Sequence, residues 1–339
     1  MMIDLRSDTI TKPSSEMLDA MMSTTVGDDV FGNDPTVNEL QEKVADLFGM
    51  EKALYCPSGT MTNQIAMRTH TRPQDEVICH KYSHVFLYEG GGMMNNSMLS
   101  PKLLEGDRGK ITAHQVSESI NPDDIHFPHT RLVVLENTMN KGGGAVYDFQ
   151  EIEKIKEVCE KNNLKLHLDG ARLFNALVET KEDPKQYGEV FDSISICFSK
   201  GLGAPVGSVL LGTGEQMKEA IRVRKVFGGG MRQAGYLAAA CIYALENNVD
   251  RLLEDHNRAK KIGEELKELA FIKEVVSVET NIVIAELVDD RSEKWFLGEL
   301  ERHNVLAVPF GKGLVRFVTH LDFGDKDLEN LIRTFKKID

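Results

Sequence analysis

The sequence predicts an α/β protein: a large three-layer α/β/α domain on a mostly parallel sheet, followed by a smaller C-terminal α/β domain. Three observations carry this reading. Short apolar runs alternate with amphipathic helical patterns through the middle of the chain. The pattern changes after about residue 250, and 339 residues exceed what one compact core usually holds.

The elements follow in order. Asp34-Pro35 opens a helix that carries Val37, Leu40, Val44 and Leu47 at helical spacing and stops at Gly49. ALYCPS (53–58) reads as a strand, with a helix from about Thr60. RLVVLE (131–136) reads as a buried strand. Asp148 and Glu151 then stand at capping-box spacing ahead of Ile152, Ile155 and Val158. LKLHLD (164–169), SISICFS (193–199) and GSVLLG (207–212) return as strands. Residues 90–109, GGGMMNNSMLSPKLLEGDRG, match neither period. Beyond 250, a charged helix (249–269) precedes EVVSVE, NIVIAEL, a helix at 292–303, the short strands VLAV and LVRFV, and a helix from Asp325. Mixed short strands and helices of this kind suit a partly antiparallel sheet. The expected division is an N-terminal segment (1–15), a large domain (16–248) and a small domain (249–339).

Composition narrows the function. A net charge of −13 argues against nucleic acid or an anionic membrane as the main partner, although a local arginine cluster can still bind a small anion. Five widely spaced cysteines without a CxxC pair fit neither a disulfide framework nor a structural zinc site. No apolar run approaches membrane-spanning length, and the first residues lack an apolar signal core, so a cytoplasmic protein is expected.

In open α/β sheets ligands collect at the carboxyl ends of strands, and three predicted ends are chemically unusual. In PSGTMTNQ (57–64), small residues lead into a helix. The amides of Gly59 and Thr60 and the hydroxyls of Ser58 and Thr60 suit a phosphate, or simply an N-cap. In HLDGARLFNA (167–176), Asp169 closes a strand with Arg172 three residues on. It is a helix cap or the partner of a cationic heterocycle. In ICFSKGLGAPVG (196–207), Lys200 follows an apolar run, between Ser199 and Gly201 in a turn with room for a bulky ligand. It either snorkels to solvent or acts as a desolvated nucleophilic amine. There is no Walker A loop, and the missing GxGxxG opposes a nicotinamide enzyme. Taken together, a phosphate cup, an aspartate and a lysine on one sheet edge fit pyridoxal 5′-phosphate.

The chain also resembles the L-threonine aldolases of low-specificity or L-allo type. The similar segments run almost end to end: DLRSDTITKP, VGDDVFGNDPTVNELQ, PSGTMTNQ, SHVFLYE, HLDGARLFNA, SKGLGAPVGS, GGGMRQAG and VRFVTH. The resemblance implies fold type I of the pyridoxal-phosphate enzymes and retro-aldol cleavage of L-threonine or L-allo-threonine to glycine and an aldehyde. It implies Lys200 as the Schiff-base lysine, Asp169 at the pyridine nitrogen and His84 stacked on the pyridine face. Ser58, Gly59 and Thr60 would hold the phosphate, with Ser199 and Arg172 also near the cofactor. Ser7, Arg172 and Arg316 would bind the substrate carboxylate, His126 would stand near the substrate hydroxyl, and Glu89 would lie close by. Arg232 would reach an active site across a subunit interface of a homodimer or homotetramer, and no metal is expected. Met139, in ENTMNKGGG, departs from the histidine that many relatives carry, and altered contacts near the substrate entrance are expected there. Lone histidines, a strand arginine and a triple glycine also have ordinary structural roles. The rival functions are transamination or β-elimination on the same cofactor, and a non-catalytic phosphate-ligand-binding protein.

Overall fold

The computed structural model describes residues 2–288 and 291–338. Its strands form three sheets. At the amino end, β1 is Ile3–Asp4. The large sheet uses β2 (Lys52–Cys56), β3 (Glu76–His80), β4 (Ser100–Leu104), β5 (Thr130–Glu136), β6 (Lys165–Gly170), β7 (Ser193–Cys197) and β8 (Ser208–Gly212). Their spatial order is β2-β8-β7-β6-β5-β3-β4, with β8 antiparallel to both neighbours and the remaining pairs parallel. The C-terminal part adds β9 (Ile272–Val275), β10 (Ile282–Leu287), β11 (Val305–Leu306), β12 (Val308–Gly311) and β13 (Leu314–Val318). β12-β13-β10-β9 form a fully antiparallel sheet, and β1 pairs in parallel with β11.

Strand alternation explains the three layers. Tyr55, Ile78, Val133, Leu166, Ile194 and Val209 point to one face, where helices Pro35–Phe48 and Phe149–Lys161 deliver Val37, Leu40, Phe48, Ile152 and Ile155. The alternate positions point to the other. There Leu54 and Leu210 meet Ile65, Met217 and Val223, while Val77, Leu132 and Val134 meet Met67 and Met93. A sheet covered on both faces needs near-continuous apolar strands, which is what these segments supply. A separate core forms around Phe271, Phe296, Phe317 and Phe335 in the C-terminal part, and Ile3 and Leu5 belong to it. Among the described residues no helix is long and apolar enough to cross a membrane. All five cysteines are free and buried.

Several local expectations change. Asp148 caps its helix through Gln150 N, but Glu151 does not close the box: its Oε1 accepts the Ala113 N–H at 2.9 Å, in a different helix. EVVSVE is strand only to Val275. The chain then leaves the sheet so that Glu279 can pair with Arg108 and accept from Val146 N, and Thr280 can bond Gly144 O. Residues 90–109 hold the helix Gly92–Ser97 and the edge strand β4, both too short to show a period. Met139 is fully buried and packs over Gly109, where a Cβ would overlap it.

Candidate active site

The carboxyl ends of β2, β5, β6 and β7 gather the chemistry. Beyond β2, Ser58 caps the helix Gly59–His70, its Oγ accepting Met61 N–H at 3.2 Å. Among the described residues, the N–H groups of Gly59 and Thr60 have no hydrogen-bond partner. They are the first two donors of a helix and lie at its positive end, as an anion requires. Gly59 cannot be larger, because a Cβ would overlap Cys197 Sγ.

One turn further along this helix, Asn63 is buried, and its Nδ2 donates to Asp169 Oδ2 at 3.0 Å and to Glu89 Oε1 at 2.9 Å. The helix start and Asp169 therefore stand about 6 Å apart along the axis, at about 1.5 Å rise per residue. Asp169, buried at the end of β6, also accepts Ala171 N–H at 3.2 Å through Oδ1. Behind Asn63 runs a buried polar chain. His167 Nε2 meets Asn63 Oδ1 at 3.0 Å, His167 Nδ1 meets Ser193 Oγ at 2.7 Å, and His70 Nε2 meets the same hydroxyl at 2.8 Å. Burial lowers the pKa of His167 to about 3 and that of His70 to about 4, so both rings are neutral at ordinary pH.

His84 starts the short helix His84–Leu87, half-buried above this layer. Its Nδ1 lies 3.0 Å from Glu89 Oε1, and the Glu89 side chain is fully buried. Glu89 takes a further bond from Gln64 Nε2 at 2.6 Å. Its oxygens thus serve His84, Asn63 and Gln64. Burial pulls the His84 pKa down, but the Glu89 bond and the Asp169, Glu89 and Glu136 charges outweigh it, and the net shift is upward.

Lys200 lies three residues past β7, half-buried, and its amine has no hydrogen-bond or ion-pair partner among the described residues. The glycines after it do not clear space for a ligand: a Cβ on Gly201 would press on Leu252, and left-handed Gly203 (φ +81) faces Leu321. They let the turn pack. Asp8 lies near enough to Lys200 to feel its charge, and it accepts from Arg172 Nε at 2.7 Å and Nη2 at 2.6 Å. Burial pushes the Asp8 carboxyl up, but Arg172, with Lys200 and Asn281, holds its pKa at about 2. Arg172 is thereby committed first to Asp8. Ser7 beside it uses its hydroxyl on Thr9, accepting the N–H at 3.2 Å.

Arg316, on β13, donates from Nη1 to Asn140 Oδ1 at 2.9 Å and from Nη2 to Arg6 O at 3.0 Å. Its Nε is buried without a partner, and burial followed by the like charge of Arg172 lowers its pKa to about 10. An orphaned buried donor on a guanidinium is unusual, and an anionic ligand would satisfy it. Ser199 is half-buried beside Lys200 and makes no side-chain hydrogen bond among the described residues.

Two expected residues lie elsewhere within this chain. The His126 ring is 80% exposed and bonded to Asp124 Oδ1 at 2.7 Å, in the loop before β5. The strand-end residues lie past the other end of β5, about 20 Å away at about 3.3 Å per residue. Arg232 is half exposed and pairs with Asp28 Oδ2 at 3.0 Å. Sequence reasoning missed Asn63, Gln64 and Glu136. The last is buried at the end of β5, where its two oxygens accept the N–H groups of His84 (2.7 Å) and Asn140 (2.9 Å).

The model of the beta-eliminating lyase family matches residues 4–289. The chain is 44% identical to the low specificity L-threonine aldolase of Escherichia coli K12, over 96% of each chain. It is 39% identical to the probable low-specificity L-threonine aldolase 2 of Arabidopsis thaliana, over 99% of this chain and 97% of that one. Among solved structures it superposes on the threonine aldolase of Leishmania major with a TM-score of 0.86 and 20% identity, over 99% of both chains. A putative L-allo-threonine aldolase of Listeria monocytogenes gives 0.80 and 24%, over 96% of this chain and 93% of that one. These two likenesses establish the fold.

Proposed function

The chain belongs to the L-threonine aldolase family of the beta-eliminating lyases, and from that premise we propose that it cleaves L-threonine and L-allo-threonine to glycine and acetaldehyde with pyridoxal 5′-phosphate. The observation that carries this reading is an unpartnered, half-buried Lys200 just past the end of β7, whose neighbour β6 carries the buried carboxylate of Asp169 at its own carboxyl end.

The residues fit the cofactor. The free amides of Gly59 and Thr60, with Ser58, would receive the phosphate, Asp169 would face the ring nitrogen, and His84 would cover the ring. Lys200 Nζ would carry the carbonyl carbon. When bound, the cofactor supplies an electron sink for the pair released as the Cα–Cβ bond breaks.

The chain's own groups do the rest. Arg316, through its unsatisfied Nε, grips the substrate carboxylate, with Ser7 and Arg172 beside it. His84 takes the proton of the β-hydroxyl. Because Nδ1–H donates to Glu89, the lone pair sits on Nε2, which faces away from that carboxylate. Asn63 holds Asp169 and Glu89 at fixed separation, so the ring nitrogen's partner and the base's support move as one unit.

His126 and Arg232 join a site only from a second copy of the chain, so the proposed enzyme is a homodimer or homotetramer with shared sites. The proposed location is the cytoplasm. The expected division at residues 15 and 248 stands with the same proposal.

Product analysis tests the reaction. Equal amounts of glycine and acetaldehyde from L-threonine support it. Because the family model is that of eliminating lyases, the second reading is loss of water from threonine, and ammonia with 2-oxobutanoate would establish that instead.

A further inference from the structure

We propose that Glu136 is a positioning residue that sets His84 and Arg316 in one frame, its two carboxylate oxygens each holding one arm of the site. This rests on the aldolase reading of those two residues.

Oε2 accepts the backbone N–H of His84 at 2.7 Å, where the short helix His84–Leu87 begins. Oε1 accepts the backbone N–H of Asn140 at 2.9 Å. Asn140 then turns its side chain the other way, and its Oδ1 accepts Arg316 Nη1 at 2.9 Å. Glu136 thus reaches the base by one oxygen. By the other, through a single residue, it reaches the guanidinium that faces the carboxylate.

The second arm crosses from the large sheet to the small one. Asn140 lies in a turn closed by Met139 N–Ala145 O at 2.9 Å and Gly144 N–Met139 O at 2.9 Å. Next to it, the Lys141 amine sits 3.9 Å from the Phe310 ring centroid and donates to Phe310 O at 3.3 Å. The Arg316 guanidinium stacks over the other part of this contact, 4.9 Å from the same centroid. Residues 140 and 141 are therefore one tie between the sheets, alongside Arg108–Glu279 and Thr280–Gly144, and Glu136 fixes its inner end.

The two N–H groups need acceptors here, but among the described residues the charge on those acceptors has no compensating partner. Glu136 is buried, no cation pairs with it among the described residues, and its register partner on β6 is another carboxylate, Asp169. An apolar side chain would be cheaper to bury in itself but would leave the N–H groups of His84 and Asn140 without an acceptor. The strain shows in its titration: burial and then the Asp169 charge push its pKa up to about 7, against the pull of the two N–H groups. The other titratable or charged neighbours that sense it are His84, Arg172, Cys79 and Tyr147.

The test uses the full-length, cofactor-loaded enzyme and Glu136→Gln. Glutamine keeps one acceptor and turns an NH2 toward the other N–H, so one arm must let go. A fall in kcat/KM of about 10–100-fold is expected, the usual cost of losing an orienting partner. The dissociation constant of glycine, read from the cofactor's absorbance change, should rise about tenfold. Asn140→Ala severs only the Arg316 arm. It should raise KM for threonine and the glycine dissociation constant about tenfold while leaving kcat within about twofold, and it decides the matter if the first variant does not fold. Both variants binding glycine within twofold of the parent, with unchanged kcat/KM, would overturn the proposal. Glycine binding needs no cleavage, so a parent enzyme that binds glycine yet releases no aldehyde from threonine would sink the aldolase reading itself, whereas a parent that cleaves threonine with both variants unchanged would sink this proposal alone.

Discussion

His84 Nδ1 lies 3.0 Å from Oε1 of Glu89, a carboxylate with no exposed surface. The pair raises the imidazole's pKa and fixes which ring nitrogen keeps its lone pair. If the neutral ring is the base, as proposed, activity should rise as pH climbs through the raised His84 pKa. Glu89→Gln removes the charge, lowers that pKa and moves the acid limb of the kcat profile to lower pH, with kcat itself reduced about 10–100-fold. A pH–rate profile of both enzymes checks this. An acid limb that stays in place would show that His84 is not the titrating group.

Lys200→Ala should abolish the covalent link to pyridoxal phosphate. Borohydride treatment of the parent should fix the cofactor's mass on the peptide containing Lys200, and the variant should take up none. Cleavage of threonine should fall by at least about 10³-fold. Mass spectrometry reads the first outcome, and retained labelling at another lysine would reassign the residue.

Arg316 presents an unsatisfied donor that lysine cannot reproduce, because an ammonium lacks the planar fork. Arg316→Lys should raise KM about 10–100-fold, roughly the 1.5–3 kcal/mol of a hydrogen bond to a charged group. Steady-state kinetics on threonine would show it. An unchanged KM would mean that the carboxylate is held elsewhere.

The buried pair of Asp8 and Arg172 should be visible in stability. The Asp8 pKa falls from 3.8 to about 2 on folding, so its contribution is complete above pH 4 and is lost as pH falls toward 2. Asp8→Asn strands a buried guanidinium and should cost about 3–5 kcal/mol. Denaturant unfolding at pH 7 and pH 3 measures both, and the gap between variant and parent should narrow at the lower pH.

Gly59 abuts Cys197 Sγ, so Gly59→Ala forces an overlap and should destabilise by about 1–3 kcal/mol. Adding Cys197→Ala removes the obstructing sulfur and should restore most of the loss. Thermal unfolding of the two single variants and the double variant forms a cycle, and strict additivity would contradict the contact.

The parts of the fold that were legible are those where one period dominates. β5, β6, β7 and β8 appear as apolar runs because both faces of each are covered. β4 was not legible: it is an edge strand with exposed and half-buried residues, and its partner β3 is distant in sequence, across two short helices that obscure the pairing. At the site, Lys200 and Asp169 stood out because a charged group closing an apolar strand is anomalous. Asn63 did not, since an amide in a helix looks like a solvated one until the tertiary structure buries it against Asp169 and Glu89. Glu136 also closes an apolar strand, and the anomaly that drew attention to Asp169 applied to it equally. The commitment of Arg172 to Asp8 spans 164 positions, and no local pattern reports it.

The pairing of Ile3 with Val305 has a consequence in time. Ser7 and Asp8 leave the ribosome long before Val305, which the strand that precedes them needs as a partner. At roughly 5–20 residues per second, the amino-terminal stretch waits on the order of 15–60 s for Val305 to emerge. Until then Arg172 has no settled counter-ion, and a nascent chain can build its large sheet without a competent site. Competence of the proposed site is thus tied to synthesis of β11, and a message truncated before it would leave Asp8 without the strand pairing next to it.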